Sequence, residues 1–184
     1  AAEEPRVAPI QIYRPPPGAL PTPFTTAARE RGSIPNLFLY NHGDWMAKGV
    51  NTPAGRAAEI GAAGGVTNGR GLAGFFAALL GPAASGPLGL SADALAGFSQ
   101  VSAATHMDAT LRMPTRFGPG FMVAIDNRRR PGGGDSVILG PNAFGHVGAG
   151  GSIGFADPAQ GLAFGYAMNR QGPGILLNER GQTL

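Results

Sequence analysis

The residues best suited to chemistry lie in a glycine-rich run, residues 144–154, which contains His146 and Ser152. An imidazole changes charge near neutral pH and can accept or donate a proton. A serine hydroxyl becomes a nucleophile when a base takes its proton. Glycines on a strand let a ligand or another backbone approach closely. The run is therefore a candidate active site, and a crowded strand with a surface histidine is the alternative that these residue types leave open.

Ser152 lies in a G-x-S-x-G pattern, residues 150–154. In a nucleophile elbow this pattern places the serine on a tight turn between a strand and a helix. Residues 153–158 (IGFADP) are instead typical of a strand followed by a turn. No histidine follows His146 to complete a triad in the required order. We therefore predict that Ser152 is a strand residue and not a nucleophile.

Metal and dinucleotide sites receive no support from the sequence. His42, His106 and His146 are far apart and none forms an H-x-x-x-H pattern, and the chain has no cysteine. Residues 69–74 (GRGLAG) match G-x-G-x-x-G, with Asp93 downstream. A dinucleotide site needs a buried strand ahead of those glycines, whereas a loop is predicted there. We therefore predict no metal and no cofactor.

Composition and charge exclude several classes of protein. The chain has 184 residues, of which 43% are hydrophobic and 14% charged. This length suits one domain, and the hydrophobic fraction supports a packed core rather than disorder. The net charge is +3, with Lys48 as the only lysine, and the arginine run 128–130 stands beside the glycines of 132–134. Such a run is typical of a solvated turn, so we expect no nucleic-acid partner.

The sequence contains no stretch typical of a membrane span or a signal peptide. The most apolar stretch, residues 72–98, is interrupted by Pro82, Pro87 and Asp93. The first five residues (AAEEP) are partly acidic and end in proline, unlike a signal peptide. We expect no membrane partner. The compartment stays unknown, with the cytoplasm favoured.

The elements that must position the candidate site change in type along the chain. Eight prolines lie between residues 5 and 45, so we predict that residues 1–50 are extended or irregular, with a short helical turn near residues 25–31. Helix starts are predicted at residues 51–53, at Thr67 or Asn68, and at Ser91, with the last helix ending near residues 101–105.

Strand-like residues follow the helices. Strands are predicted at residues 120–125, 136–139 and 162–168, and a hairpin turn at residues 156–161. A helical segment followed by antiparallel strands predicts an α+β fold, with residues 51–184 as one domain.

Three segments of this strand region together resemble the serine β-lactamase-like hydrolases, the group of class C β-lactamases, esterases and penicillin-binding-protein-like proteins. They are residues 145–152 (GHVGAGGS), 154–158 (GFADP) and 165–170 (GYAMNR). Residues 56–79 are similar to that family's helical region, and the order of the blocks agrees. The resemblance covers residues from about 50 to 184. It implies a β-lactamase/transpeptidase-like fold and acyl transfer on an ester or lactam, in which the serine of a Ser-x-x-Lys motif attacks the carbonyl.

The resemblance also assigns the candidate site residues. The family's third motif, Lys-Thr-Gly in many β-lactamases, falls here on His146, Val147 and Gly148. With Gly150, these three are expected to bind substrate. The backbone N–H of Ala149 is expected to be an oxyanion donor. Because a neutral histidine suits the carboxylate of a β-lactam less well than a permanent ammonium does, we expect ester substrates rather than lactams.

The sequence departs from the family at the nucleophile. No serine is followed three residues later by lysine, and no tyrosine fits the second motif. We therefore expect a C-terminal part of a longer hydrolase: residues 51–184 would be a single incomplete domain, inactive alone, with an exposed edge strand and an uncovered apolar face. Its expected partners are a small-molecule ester or amide substrate and the missing N-terminal half of the same fold. The alternative is a non-catalytic β-lactamase-like binding or interaction module.

Overall fold

Helices occupy the first half of the chain and strands most of the second. The computed structural model describes residues 3–41, 43, 45–81, 88, 90–130 and 135–183. Its helices are α1 (Pro23–Arg29), α2 (Ile34–Tyr40), α3 (Pro53–Ala57), α4 (Gly69–Leu80), α5 (Ala92–Gly97) and α6 (Glu179–Thr183), with a 3-10 turn at Glu4–Arg6 and a π turn at Trp45–Gly49. Its strands are β1 (Ala103–Thr105), β2 (Thr115–Phe117), β3 (Met122–Val123), β4 (Phe144–Val147), β5 (Ile153–Asp157) and β6 (Leu162–Tyr166). The predicted α+β class is confirmed.

Side-chain caps fix where the helices begin. Thr52, Asn68 and Ser91 each accept a hydrogen bond from a backbone N–H in the first turn of α3, α4 and α5. Each satisfies a donor that would otherwise have no partner inside its helix. The three predicted helix starts are thereby confirmed. The predicted end of α5 is wrong, because the helix stops at Gly97 and the chain enters β1 at Ala103.

The proline-rich segment contains more helix than the prolines alone suggest. Helix α1 matches the predicted turn near residues 25–31, and α2 was not predicted. Both begin with a capping residue and a proline in the first turn, where the missing N–H has no intrahelical partner to lose. The segment is tied to the rest of the fold by paired hydrogen bonds between Ile10 and Asn51, of 2.7 and 2.8 Å.

The six strands form one antiparallel sheet in sequence order, β1 to β6. The predicted hairpin is formed by β5 and β6, in register from Ile153↔Tyr166 to Asp157↔Leu162. The predicted strand at residues 120–125 shortens to β3, followed by a single bridge from Ile125 to Val137. Strands β1 and β2 were not predicted. Strand β6 is an edge, because no strand among the described residues pairs with its other side.

Each face of the sheet has its own hydrophobic cluster. On one face Phe76 and Leu79 of α4 pack against Phe144 and Ala156. On the other face, Val147 and Ile153 pack with residues from β3, from the bridge between Ile125 and Val137, and from the C-terminal segment. These residues are Met122, Ile125, Val137, Leu176 and Leu177. Phe155, Phe164 and Tyr166 on this second face are only half-buried. They are the part of the apolar face that the chain leaves incompletely covered.

Helix α4 lies directly on β6 because glycines allow the approach. A Cβ at Gly165 would lie 2.6 Å from the backbone N of Ala73 and closer still to the carbonyl oxygen of Gly69. The glycines of the G-x-G-x-x-G pattern therefore belong to a helix that starts after a loop. No helix within the described ranges is both long and apolar enough to cross a membrane.

Candidate functional site

The resemblance-based motif occupies the end of β4 and the turn that follows it. His146 and Val147 are the last residues of β4, and residues 148–151 form the β4–β5 turn. The N–H of Gly151 donates to the carbonyl of Gly148 at 3.0 Å, and Gly150 has φ +91°. This is the geometry of a type II turn, whose third position requires a positive φ and therefore glycine. The turn thus places Ala149 at its second position.

The edge of β4 on the side of β3 is open at His146 and Val147. The register of β3 with β4 ends at Met122↔Gly145. On the other side His146 pairs with Gly154 and Val147 with Ile153 of β5. No described residue pairs with the open edge. An extended ligand can therefore lie along it as a further strand would.

Ala149 carries an unengaged backbone donor beside this edge. Each neighbouring glycine donates its N–H to a carbonyl of the protein: Gly148 to Ser152, Gly150 to Gly174, and Gly151 to Gly148. Among the described residues the exposed N–H of Ala149 has no acceptor. A fixed backbone N–H with no internal partner can bind a developing oxyanion without first breaking another bond.

The His146 ring is exposed and oriented by its own backbone neighbour. Its Nδ1 lies 2.8 Å from the carbonyl oxygen of Val147. A carbonyl only accepts, so Nδ1 carries the proton and Nε2 of the neutral ring is an acceptor. The ring lies beside Phe117, with centroids 6.5 Å apart. His146 can thus accept a hydrogen bond from a group bound at the open edge.

Gly150 and Ser152 have their polar groups engaged inside the protein. Gly150 is buried; its carbonyl accepts from the N–H of Gly172 and from the Asn178 side chain, each at 2.9 Å. It shapes the turn, and its polar groups face away from a ligand at the open edge. The Ser152 hydroxyl accepts from the N–H of Met168 at 3.4 Å, and β5 follows at once. No helix follows Ser152, so it does not lie in a nucleophile elbow, and it stands immediately before β5 rather than in the strand as predicted.

His106, the other histidine among the described residues, is not brought to this site. His42 lies outside the described residues. The Nδ1 atom of His106 is 3.4 Å from the guanidinium of Arg130. In the same loop, hydrogen bonds from Arg128 lower the pKa of Asp126 to about 2. The described ranges contain no group of three or more acidic, histidine or cysteine side chains that could hold a metal ion.

The structure adds residues that sequence reasoning missed. Asn178, Arg180 and Gln171 lie behind the β4–β5 turn and donate to its carbonyl oxygens. An asparagine three residues before Gly181, with Glu179 between them, is a helix-start signal that would have located α6. Nothing local in the sequence links that start to residues 148–151.

A cavity of about 510 Å³ lies elsewhere on the sheet. It is bounded by the end of α4, by α5 and by the β5–β6 turn, with Phe144 as its contribution from β4. None of residues 146–150 lines it. The motif therefore lies on an open edge rather than in this cavity.

Three comparisons with known proteins show what the chain is similar to. The family model described as Beta-lactamase matches residues 2–181. Esterase/beta-lactamase LipL of Mycobacterium tuberculosis is 35% identical over 114 residues, which is 61% of this chain and 24% of that protein. A family VIII carboxylesterase structure superposes with a TM-score of 0.60 at 34% identity, over 72% of this chain and 34% of that one. EstA from Arthrobacter nitroguajacolicus Rue61a superposes with a TM-score of 0.61 at 29% identity, over 98% of this chain and 45% of that one.

These figures fix two points. The chain spans less than half the length of each of these relatives. The family match begins at residue 2, so it includes the proline-rich segment that lies ahead of the region on which the resemblance was based. Because the family model matches residues 2–181, nearly the whole chain, the chain belongs to the β-lactamase family.

Proposed function

We propose that this chain supplies one wall of the acyl-transfer site of an esterase, with the attacking serine contributed from outside the chain. The observation that carries the proposal is the unengaged N–H of Ala149 at the end of the open β4 edge. The relatives named esterase or carboxylesterase support the reaction class.

The geometry supports a defined role for each motif residue. When a serine attacks an ester carbonyl, negative charge develops on the carbonyl oxygen. A backbone donor already aimed at that oxygen lowers the barrier by about 3 kcal/mol. The N–H of Ala149 would be this donor, and the edge of His146 and Val147 would hold the chain of the substrate.

Gly148 supports the same arrangement. A Cβ at this position would meet only Ser152, at 3.7 Å from its Cβ and 4.0 Å from its carbonyl oxygen. The φ of Gly148 is not positive. Packing among the described residues therefore does not require glycine here. A close approach by substrate explains its presence.

The absence of the family's nucleophile motif from this sequence supports a serine contributed from outside the chain. No Ser-x-x-Lys occurs, and Lys48 is the only lysine. Ser33 and Ser91 cap helices. The hydroxyl of Ser136 accepts a hydrogen bond from the backbone N–H of Asn127. We therefore propose that the chain alone does not hydrolyse esters.

The third motif favours esters over lactams. The histidine at position 146 carries no permanent charge, whereas binding the carboxylate of a β-lactam is best served by a fixed positive charge. An uncharged ester places no carboxylate at this position. We propose uncharged carboxylic esters as substrates.

A chimera tests the proposal. This chain replaces the matched portion of the family VIII carboxylesterase, so that the relative supplies the Ser-x-x-Lys segment. We expect hydrolysis of p-nitrophenyl butyrate by the chimera, none by this chain alone, and none after alanine replaces the supplied serine. A chimera that unfolds cooperatively and binds the ester without turnover would instead support the non-catalytic module.

A further inference from the structure

We propose that Asn178 is a positioning residue for the site, because its side-chain amide holds the β4–β5 turn in the orientation that presents the N–H of Ala149. The inference rests on the proposed function for its catalytic meaning. Its structural content, the fixed direction of one backbone N–H bond, stands on the hydrogen bonds of Asn178 and of the turn, whatever the reaction.

Asn178 uses its whole amide group in the protein interior. Its side chain is buried, with 8% of the residue exposed. Nδ2 donates to the carbonyl of Gly150 at 2.9 Å and to that of Pro173 at 3.1 Å. Oδ1 accepts from the N–H of Gly181 at 3.1 Å. Buried polar groups that are satisfied in this way hold a single arrangement, since breaking any bond leaves a costly unpaired group.

Glycines surround the amide and leave it no alternative position. A Cβ at Gly151 would lie 2.7 Å from Nδ2, and one at Gly172 would lie 2.5 Å from the same atom. Gly151 has φ +113°, a conformation that side chains disfavour. The turn and the C-terminal segment therefore approach each other closely at Asn178.

The hydrogen bonds of the turn pass this constraint to Ala149. The carbonyl of Gly150 is held by Asn178, by the N–H of Gly172 and, at 3.4 Å, by Arg180. The side-chain amide of Gln171 donates through Nε2 to the carbonyl oxygen of Ala149 at 3.5 Å. The Gly150 carbonyl belongs to the same peptide unit as the N–H of Gly151, which donates to the carbonyl of Gly148 at 3.0 Å. The Gly148 carbonyl in turn shares one planar peptide unit with the N–H of Ala149. The bonds that hold Gly150 from behind therefore act through Gly151 and Gly148 to keep the N–H of Ala149 on the exposed side.

Helix capping alone does not account for this side chain. Oδ1 caps α6 by accepting from Gly181, a task that Ser33 and Ser91 perform for α2 and α5 with a hydroxyl. The donor half of Asn178 is what reaches Gly150. Removing the donor while keeping the cap separates the two tasks.

The test uses the isolated chain, labelled with 15N and kept at a concentration where sedimentation velocity shows a monomer. Asn178→Asp keeps the capping oxygen and places a second acceptor against two carbonyl groups, and Asn178→Ser keeps a cap without added charge. The N–H of Ala149 is followed by residual dipolar coupling, which reports the bond direction, and by relaxation. We expect the order parameter of Ala149 to fall from about 0.85 to below about 0.6 in both variants, with the amides of β5 unchanged.

Acidification provides a rescue that a purely structural role would not give. Burial and the facing carbonyl groups favour the protonated form of an aspartic acid at this position. Its O–H can then donate to Gly150, so the Ala149 order parameter and coupling should return on acidification in Asn178→Asp and not in Asn178→Ser. Asn68→Asp, at the cap of α4, is the matched control and should leave Ala149 unaffected.

The outcomes separate this inference from the proposed function. An unchanged coupling and order parameter for Ala149 in both folded variants would overturn the positioning role. Loss of all dispersed signals in a variant at neutral pH, with no recovery on acidification in Asn178→Asp, would also overturn it in favour of a general stabilising role. If Ala149 responds as expected while the chimera hydrolyses no ester, the proposed function fails and the positioning role stands.

Discussion

At the scale of single residues, the site depends on which backbone groups the fold has already used. The N–H groups of Gly148, Gly150 and Gly151 donate to carbonyls of the protein, whereas that of Ala149 donates to no described residue. Three glycines in one turn also have different reasons for being glycine. Gly150 and Gly151 need positive φ, whereas Gly148 has neither that requirement nor a close neighbour. The residue without a structural reason is the one beside the open edge.

The space around each glycine predicts that alanine destabilises the protein at Gly145 but has little effect at Gly148. Gly145→Ala places a Cβ 2.5 Å from that of Phe155 and closer still to the carbonyl of Gly154, so we expect a loss of about 1–3 kcal/mol in unfolding free energy. Gly148→Ala should change it by less than about 0.5 kcal/mol. Urea unfolding of the two variants checks this, and equal losses would contradict the assignment of Gly148 to ligand approach.

The Asp126–Arg128 pair predicts a titration at low pH. Hydrogen bonds from Arg128 hold the pKa of Asp126 at about 2, below the ordinary value of 3.8. The favourable pairing is thus complete above about pH 4 and is lost as the pH falls through about 2. In Arg128→Gln the pKa of Asp126 should rise toward 3.8, as measured by carboxyl 13C shifts. An unchanged midpoint would show that Arg128 is not the cause.

At the scale of elements, the contact of α4 with β6 fixes the helical layer on the sheet. Gly69 and Gly165 face each other across this contact with no room for a side chain. Phe76 and Leu79 then reach the buried cluster around Phe144. The position of β4, and with it the candidate site, depends on this packing.

Alanine scanning of glycines tests the close contact. We expect Gly165→Ala to lower the unfolding free energy by about 2–3 kcal/mol, because its Cβ would meet backbone atoms of α4 that cannot move singly. Gly74→Ala is the matched control in the same helix. Apart from the backbone of α4 itself, no atom of the described residues would lie within 4 Å of its Cβ, and better helix propensity should add up to about 1 kcal/mol. A Gly165→Ala variant as stable as the parent would show that α4 does not approach β6 this closely.

Sequence reasoning succeeded where the signal is local and failed where it is tertiary. The caps Thr52, Asn68 and Ser91 act on donors three residues away, so their residue types alone predicted three helices. Strands β1 and β2 are three residues each, and only pairing with neighbours defines them.

The same distinction applies to the site. His146 to Ala149 were found through resemblance to a family. Asn178 was missed because its hydrogen bond to Gly150 joins residues 28 apart in the sequence. Hydrogen bonds between distant segments leave no periodicity for a sequence pattern to show.

At the scale of the whole molecule, the sheet ends in an edge that the described chain leaves unpaired. β6 pairs only with β5, and half-buried Phe155, Phe164 and Tyr166 lie on the incompletely covered face. Unpaired strand edges and exposed apolar faces promote association.

We therefore expect the isolated chain to self-associate with increasing concentration, as sedimentation velocity would show. Leu162→Lys places a charge at a half-exposed position of β6 and should reduce that association. Ser99→Lys is the comparison variant. It introduces the same charge at a residue outside the sheet and should leave the association unchanged. A monodisperse parent chain that melts cooperatively as a monomer would contradict this expectation.

The most direct test of the account removes the Ala149 N–H without removing the turn. Proline is favoured at the second position of a type II turn, so Ala149→Pro in the chimera deletes the donor and should preserve folding. We predict a fall in kcat of about 100- to 1,000-fold for p-nitrophenyl butyrate, at an unchanged unfolding temperature. Ala149→Ser, which keeps the N–H, should lose far less. Hydrolysis by the proline variant within twofold of the parent chimera would contradict the central claim.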